Sequence, residues 1–255
     1  MSVKIPAVEV DEAQVRAFRA QRGHLWGPGA ADLAAAARAV AGIQAQQEAP
    51  ALWSVAMRTA GRPTAAAVRV ALYEARTLVR TWGQRDTVHV YDPADWLDFA
   101  AADPVLPASA RRGPHPSADD LDAALAALAA LDRPVTRAEL AAVHAPAEVV
   151  ALFAEHAAEG EARAKFAAYR LIWALAHRGD ACYATKAGSE QRYATRAHWL
   201  PGLAWPAALP EAHGAAARLV RRYLAVNGPA SANDVAHFLG GRVSAAKGWL
   251  GALGD

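Results

Sequence analysis

The 255-residue chain has a single cysteine, Cys182, so it can form no intramolecular disulfide, offers no cysteine-based zinc site and suits a reducing compartment. It nowhere carries about 18 uninterrupted apolar residues, the length a membrane-crossing helix needs. Residues 1–10 combine Lys4 with Pro6 and Glu9 and lack an apolar run, so no secretory leader is expected and the protein is placed in the cytoplasm, away from membranes. Three enzyme signatures are also missing: a Gly-Lys-Ser phosphate loop, a His-Glu-x-x-His zinc helix and a Gly-x-Ser-x-Gly nucleophile turn. The nine histidines are scattered, and His177 and Cys182 read as structural. Aromatic residues make up only 7% of the chain, while alanine is abundant and Gly and Pro fall in short clusters. That composition favours helices joined by tight turns, and the expected fold is mainly α with small β-ribbons.

A strong charge of either sign is absent too, the net value being +2, but the balance is uneven along the chain. Residues 101–160 hold four Arg against nine acids, and residues 161–200 hold seven Lys plus Arg against three. The second stretch could face phosphate, although a solvated helix face would have the same composition.

Periodicity predicts helices over residues 11–22 and 31–43, the latter opened by Asp32 after Gly27-Pro28-Gly29, then helices over 51–60 and 65–75 with Thr64 as cap, and an alternating strand pair over 78–91. Helix, turn, helix, ribbon is the order of a winged helix-turn-helix. The punctuation recurs at Asp132-Arg133-Pro134-Val135-Thr136, where Thr136 and Glu139 are spaced as a capping box, and at Gly228-Pro229-Ala230-Ser231 with Asp234. The second signal is followed by a long helix near 162–177 and strands at 180–185 and 191–195; the third by a helix over 243–253, after which no wing follows. The chain therefore reads as tandem winged units, the third truncated: residues 1–102, a proline-rich linker at 103–118, a second unit at 119–205 and a partial third at 206–255. The apolar stretch 119–131 (Leu121, Ala124, Leu125, Leu128) suits either a dimer helix or packing within the chain, and a monomer is expected.

Two segments are more specific: Gly42-Ile43-Gln44-Ala45-Gln46-Gln47-Glu48, and Leu78-Val79-Arg80-Thr81-Trp82 continuing through Arg85-Asp86-Thr87-Val88-His89. Together they resemble the AlkZ/YcaQ-like winged-helix DNA glycosylase family, in which a Gln-aliphatic-Gln motif closes an early helix and an Arg-Thr-Trp, Arg-x-Thr-x-His ribbon follows. The second wing and its flanks, Ile172-Trp173 to Trp199-Leu200-Pro201, extend the resemblance over nearly the whole chain. It implies an enzyme that removes alkylated bases from double-stranded DNA, including bulky or crosslinking adducts, as repair or as self-resistance to a DNA-alkylating natural product. It also implies a nucleoid-associated protein without metal or cofactor. Two departures stand out. Asp86 occupies a position where relatives carry Gly, adding a negative charge to the wing, and the barrel-like C-terminal region of relatives is not part of this sequence, as in a fragment or reduced member.

The resemblance assigns catalysis to Gln44 and Gln46. On a regular helix they would point about 200° apart, but Pro50 should push Ala49 towards extended geometry, and in an extended segment residues i and i+2 share a face. Glutamine is a poor base, yet an N7- or N3-alkylpurine is already cationic and leaves without protonation, so oriented amide dipoles and one water suffice. With no lysine close to Gln44 in sequence, monofunctional hydrolysis is expected. Arg80, Arg85, Thr87 and His89 on the ribbon, with Arg111, Arg112, Lys186 and Arg192, are candidate DNA contacts, whereas Trp82 reads as core. Two other readings fit the same architecture: a dimeric winged-helix transcriptional regulator, and an interaction module that has lost DNA binding with its third wing.

Overall fold

The computed structural model describes residues 9–106, 114–156, 159–188 and 190–254. Helix starts occur where side chains can satisfy the free N–H groups of a first turn. Asp11 opens α1 (Glu12–Arg22), Asp32 opens α2 (Leu33–Ala39) and Thr64 opens α4 (Ala65–Tyr73). Capping boxes open α6 (Ala118–Ala130), α7 (Arg137–Val143) and α12 (Ala232–Leu239), through Ser117/Asp120, Thr136/Glu139 and Ser231/Asp234.

The order in the first part of the chain is helix, strand, helix, helix, ribbon: α2, a short strand β1 (Ile43–Gln44), α3 (Glu48–Arg58), α4, then β2 (Val79–Trp82) and β3 (Val88–Tyr91). After α5 (Pro93–Ala102) it repeats as α6, a bridge from Val135 to Tyr193, α7, α8 (Ala147–Leu152), α9 (Glu161–Arg178), β4 (Ala181–Ala187) and β5 (Glu190–Thr195). A short α10 (Arg196–Trp199) leads to α11 (Ala212–Asn227), α12 and α13 (Val243–Gly251), after which no strand follows among the described residues.

The two ribbons are not separate. They merge into one antiparallel sheet of order β1-β3-β2-β4-β5, joined where Arg80 of β2 faces Tyr183 of β4. Side chains alternate across a strand, and each face of the sheet carries its own core. Ile43, Trp82, Val88, Val90, Tyr183 and Tyr193 pack with α2–α4 and α6–α9, while Val79, Tyr91, Cys182, Ala184 and Ala194 pack with α5 and α10–α13. The cores thus follow the faces of the sheet and run across the chain divisions read from the sequence. Helix α6, the candidate dimer helix, buries Ala124 and Leu128 in the first core.

On the second face, buried Asp92, Asp95 and Asp98 meet Arg38 of α2 and Arg218 and Arg222 of α11. Burial pushes the Asp95 carboxyl up to about 6 although Arg222 and Arg38 oppose it. Tyr91 is fully buried with its ring between two glycines: a Cβ on Gly42 would come within 2.2 Å of its Cε1, and one on Gly83 within 1.7 Å of its hydroxyl.

Two of the differences between expected and observed helix boundaries shape the site. The helix expected over 31–43 ends at Ala39, because Ala41 and Gly42 take positive φ (54° and 93°) and turn the chain into β1. The next helix begins at Glu48 rather than 51, so Ala49 is helical. Pro50 sits in the first turn of α3, where its missing N–H has no helical partner to lose.

Candidate active site

Residues 43–47 are extended because they pair with β3, not because of Pro50. Ile43 lies opposite Val90 and Gln44 opposite His89, and the Ala45 N–H donates to the Val88 carbonyl at 2.6 Å. Gln47 is still extended (φ −105°, ψ 123°) where it caps α3. Exposure alternates accordingly: Ile43 and Ala45 are buried, Gln44 and Gln46 exposed, which brings both amides to one side of an edge strand. They are not equivalent. Gln46 Oε1 accepts a hydrogen bond from the Val88 N–H at 3.2 Å, fixing the amide and leaving its NH2 group to face outward, whereas the Gln44 amide makes no hydrogen bond among the described residues.

The peptide between them is held from beneath. Arg80 Nε and Nη2 donate to the Ala45 carbonyl at 3.3 and 3.0 Å, and Nη1 donates to Gln191 Oε1 of β5 at 3.0 Å. Below Arg80 lies Glu48, which the sequence reading missed. Its carboxylate, only 8% exposed, receives Arg69 at 2.8 Å, Lys186 at 3.1 Å and the Tyr73 hydroxyl at 3.0 Å, with Arg80 Nη1 at 3.7 Å. Burial alone would raise this carboxyl, but the hydrogen bonds from Lys186 and Tyr73 and the charges of Lys186 and Arg69 outweigh it and hold the group below its ordinary value. Tyr73 is pushed up to about 12, chiefly by burial. One carboxylate facing three cations leaves the cluster net positive, with the Arg69 and Lys186 side chains 57% and 43% exposed. The only sequence signal for Glu48 was an acid in the first turn of a helix, which ordinarily means a solvated residue favoured by the helix dipole.

Several expected DNA contacts lie elsewhere. Arg80 is buried with its guanidinium engaged inside the protein, so it is a framework residue rather than a phosphate contact. Arg85 reaches across to donate to the Phe238 carbonyl of α12 at 3.1 Å, and Thr87 donates to the Gln84 carbonyl at 3.2 Å. His89 is 1% exposed, with Nδ1 2.9 Å from the Thr87 carbonyl. Burial, helped by the charge of Arg85, lowers its pKa to about 4, so at neutral pH it is an uncharged imidazole donating from Nδ1. Trp82 is core, packed with Tyr169, Tyr183 and Tyr193. Lys186 and Arg192 remain accessible in part, and Arg192 has no ion pair among the described residues. Arg111 and Arg112 lie outside the described residues.

Two expectations drawn from single residues also change. Asp86 adopts φ 55°, a conformation in which Gly is ordinarily favoured, and turns its carboxylate towards His177 Nε2 at 3.4 Å instead of outward to phosphate. No lysine is close to Gln44 in sequence, but the sheet brings Lys186 to Glu48, two residues beyond Gln46. A cavity of about 590 Å³ lined by Phe18, Trp26, Arg38 and Arg222 includes neither glutamine.

A sequence profile described as DNA glycosylase AlkZ-like matches residues 37–255. The chain belongs to the AlkZ-like DNA glycosylase family. The matched span starts inside α2 and takes in both glutamines, both ribbons and helices α3 to α13. Among solved structures, the DNA glycosylase AlkZ of Streptomyces sahachiroi superposes with a TM-score of 0.76 over 97% of this chain at 24% identity, and thus shares its fold. The chain spans 66% of that protein's length. No curated protein sequence matches. Among the described residues, no helix is long and apolar enough to cross a membrane.

Proposed function

We propose that this member of the family is a DNA glycosylase that hydrolyses the N-glycosidic bond of N7- or N3-alkylated purines in duplex DNA, bulky or crosslinked adducts included, in repair or self-resistance. The observation that carries the reading is the locked Gln44-Ala45-Gln46 edge strand: two amides on one exposed face, with every backbone group of the residue between them bonded. A cationic alkylpurine leaves as a neutral base, so the barrier lies in positive charge developing on the sugar and in placing a water against it. The Val88 N–H polarises the Gln46 amide, whose NH2 group holds the water oxygen. The Gln44 carbonyl accepts a hydrogen bond from that water and directs its lone pair to the anomeric carbon; as the C–O bond forms, the proton released passes to bulk solvent. Preorganisation supplies what a glutamine lacks in basicity.

Lys186 does not attack the sugar in this scheme, because its Nζ is paired with the Glu48 carboxylate at 3.1 Å. Borohydride should therefore trap no covalent DNA adduct, and a trapped adduct lost in Lys186→Ala would replace hydrolysis by amine catalysis.

The decisive experiment measures release of 7-methylguanine, and of a bulkier N7 adduct, by wild type and by a Gln44→Ala, Gln46→Ala double variant. Wild type should release both, and the variant should lose at least about 10²-fold in rate with DNA binding retained. DNA binding without release by wild type would favour the transcriptional-regulator reading. That alternative needs a self-complementary helix, and its candidate, α6, packs its apolar positions inside the chain.

A further inference from the structure

We infer that Glu48 is a positioning residue for the two glutamines: it sets the Arg80 guanidinium, which in turn fixes the peptide between Gln44 and Gln46. The inference rests on the glycosylase reading for its kinetic consequence, but its structural content stands by itself.

The argument begins with geometry. A lone arginine can point its planar fork in many directions, and here only one orientation gives Ala45 two N–H donors. The Arg80 guanidinium sits over the Tyr183 ring, 4.5 Å from its centroid, and three polar neighbours set the direction of the fork: Gln191 Oε1 at 3.0 Å, the Ala45 carbonyl, and the Glu48 carboxylate at 3.7 Å. Glu48 is the only charged group of the three, and it faces the guanidinium from the first turn of the helix that directly follows the glutamines. The same carboxylate draws in Arg69 and Tyr73 from α4 and Lys186 from β4, so α3, α4, β2 and β4 converge on it. Without its negative charge, Arg69 and Lys186 could relax into solvent, but the buried Arg80 guanidinium would lose its counter-charge and be driven off the one orientation that reaches Ala45. The Ala45 peptide would lose its lower support, leaving the β3 pairing and the Gln46–Val88 bond to hold an edge strand alone.

Glu48 touches neither water nor sugar in this account; it acts through Arg80. A residue of that kind should lower the rate of the chemical step and leave DNA affinity nearly unchanged.

The test compares wild type with Glu48→Gln, which keeps shape and hydrogen-bonding capacity but removes the charge, and with Arg80→Lys, which keeps the charge but loses the fork. Three quantities are read: the single-turnover rate of 7-methylguanine release, the Kd for duplex DNA, and hydrogen exchange at the Ala45 and Val88 amides. Both variants should release base at least about 30-fold more slowly with Kd within about threefold of wild type. Exchange at Ala45 and Val88 should rise about tenfold while protection in α9 is retained. Unchanged exchange in Glu48→Gln, or release as fast as wild type, overturns the inference. If wild type releases no base, the glycosylase reading fails, and the exchange data still decide whether Glu48 holds the strand. If Glu48→Gln does not fold, Glu48→Asp, which keeps the charge but draws the carboxylate away from Arg80, should raise exchange at Ala45 and Val88 in the same direction, and wild-type exchange in it overturns the inference.

Discussion

The two ribbons arise from the same order of elements but treat their polar residues differently. Every residue of β2 and β3 is buried, including Arg80, Thr81 and His89, whereas β5 begins exposed at Glu190 and half-buried at Gln191 and Arg192. Position in the sheet accounts for the difference. β2 and β3 have a hydrogen-bonded neighbour on each side and a core on each face, while β5 is an edge. The other edge is β1, and Gln44 and Gln46 are exposed there. On the proposed reading, the polar side chains left free for DNA belong to the edges β1 and β5 and to Lys186 at the end of β4, and the conspicuous Arg-Thr-Trp, Arg-x-Thr-x-His ribbon between them is framework.

The sharpest way to break this comparison is at Trp82, where the ribbons join. Trp82→Ala should cost about 4 kcal/mol in urea unfolding; a loss under about 1 kcal/mol would mean the joint is not supported by this ring. Next come two arginines, one from each ribbon. Arg80→Ala should destabilise by about 3 kcal/mol by leaving the buried Ala45 carbonyl and Gln191 without their donor and opening a cavity beside Tyr183, and Arg192→Ala by less than about 0.5 kcal/mol. Similar losses would refute the division into framework and edge. A comparable effect is expected from pH. The folded pKa of His89, about 4, lies below the ordinary 6.5, so its contribution is present above pH 6.5 and is lost as pH falls towards 4. That loss is about 3 kcal/mol at most, and His89→Gln should flatten the stability profile in this window. The smallest effect belongs to the exposed edge. Arg192→Ala should reduce the slope of log affinity against log salt by about 1, and Arg85→Ala should leave it unchanged.

Much of the fold could be read from local chemistry. Asp32, Thr64, Thr136 with Glu139, and Ser231 with Asp234 announce helix starts that depend only on neighbouring residues. The long helix before the second wing is likewise legible from its periodicity and from Gly179, which ends it. What could not be read were consequences of distant pairing. Nothing near Arg80 in sequence indicates that Tyr183 will lie opposite it, and that pairing separates a surface arginine from a buried one. Glu48 looked like an ordinary first-turn acid because Arg69, Arg80 and Lys186 reach it from 21, 32 and 138 residues away. The two glutamines were found by resemblance, and their shared face followed from an extended segment; the cause given, Pro50, was wrong, since β3 supplies the extension. Asp86 reads in the sequence only as a negative charge added to the wing, because its charge is visible there and the approach of His177 is not.

The joining of β2 to β4 has a mechanical consequence. A hinge between two winged units would require the backbone ladder and the Trp82 aromatic cluster to open together, so the two units should turn as one body and melt in one calorimetric transition. A rigid body cannot close around a damaged duplex. If a base is to reach the Gln44 edge, the DNA must do the bending.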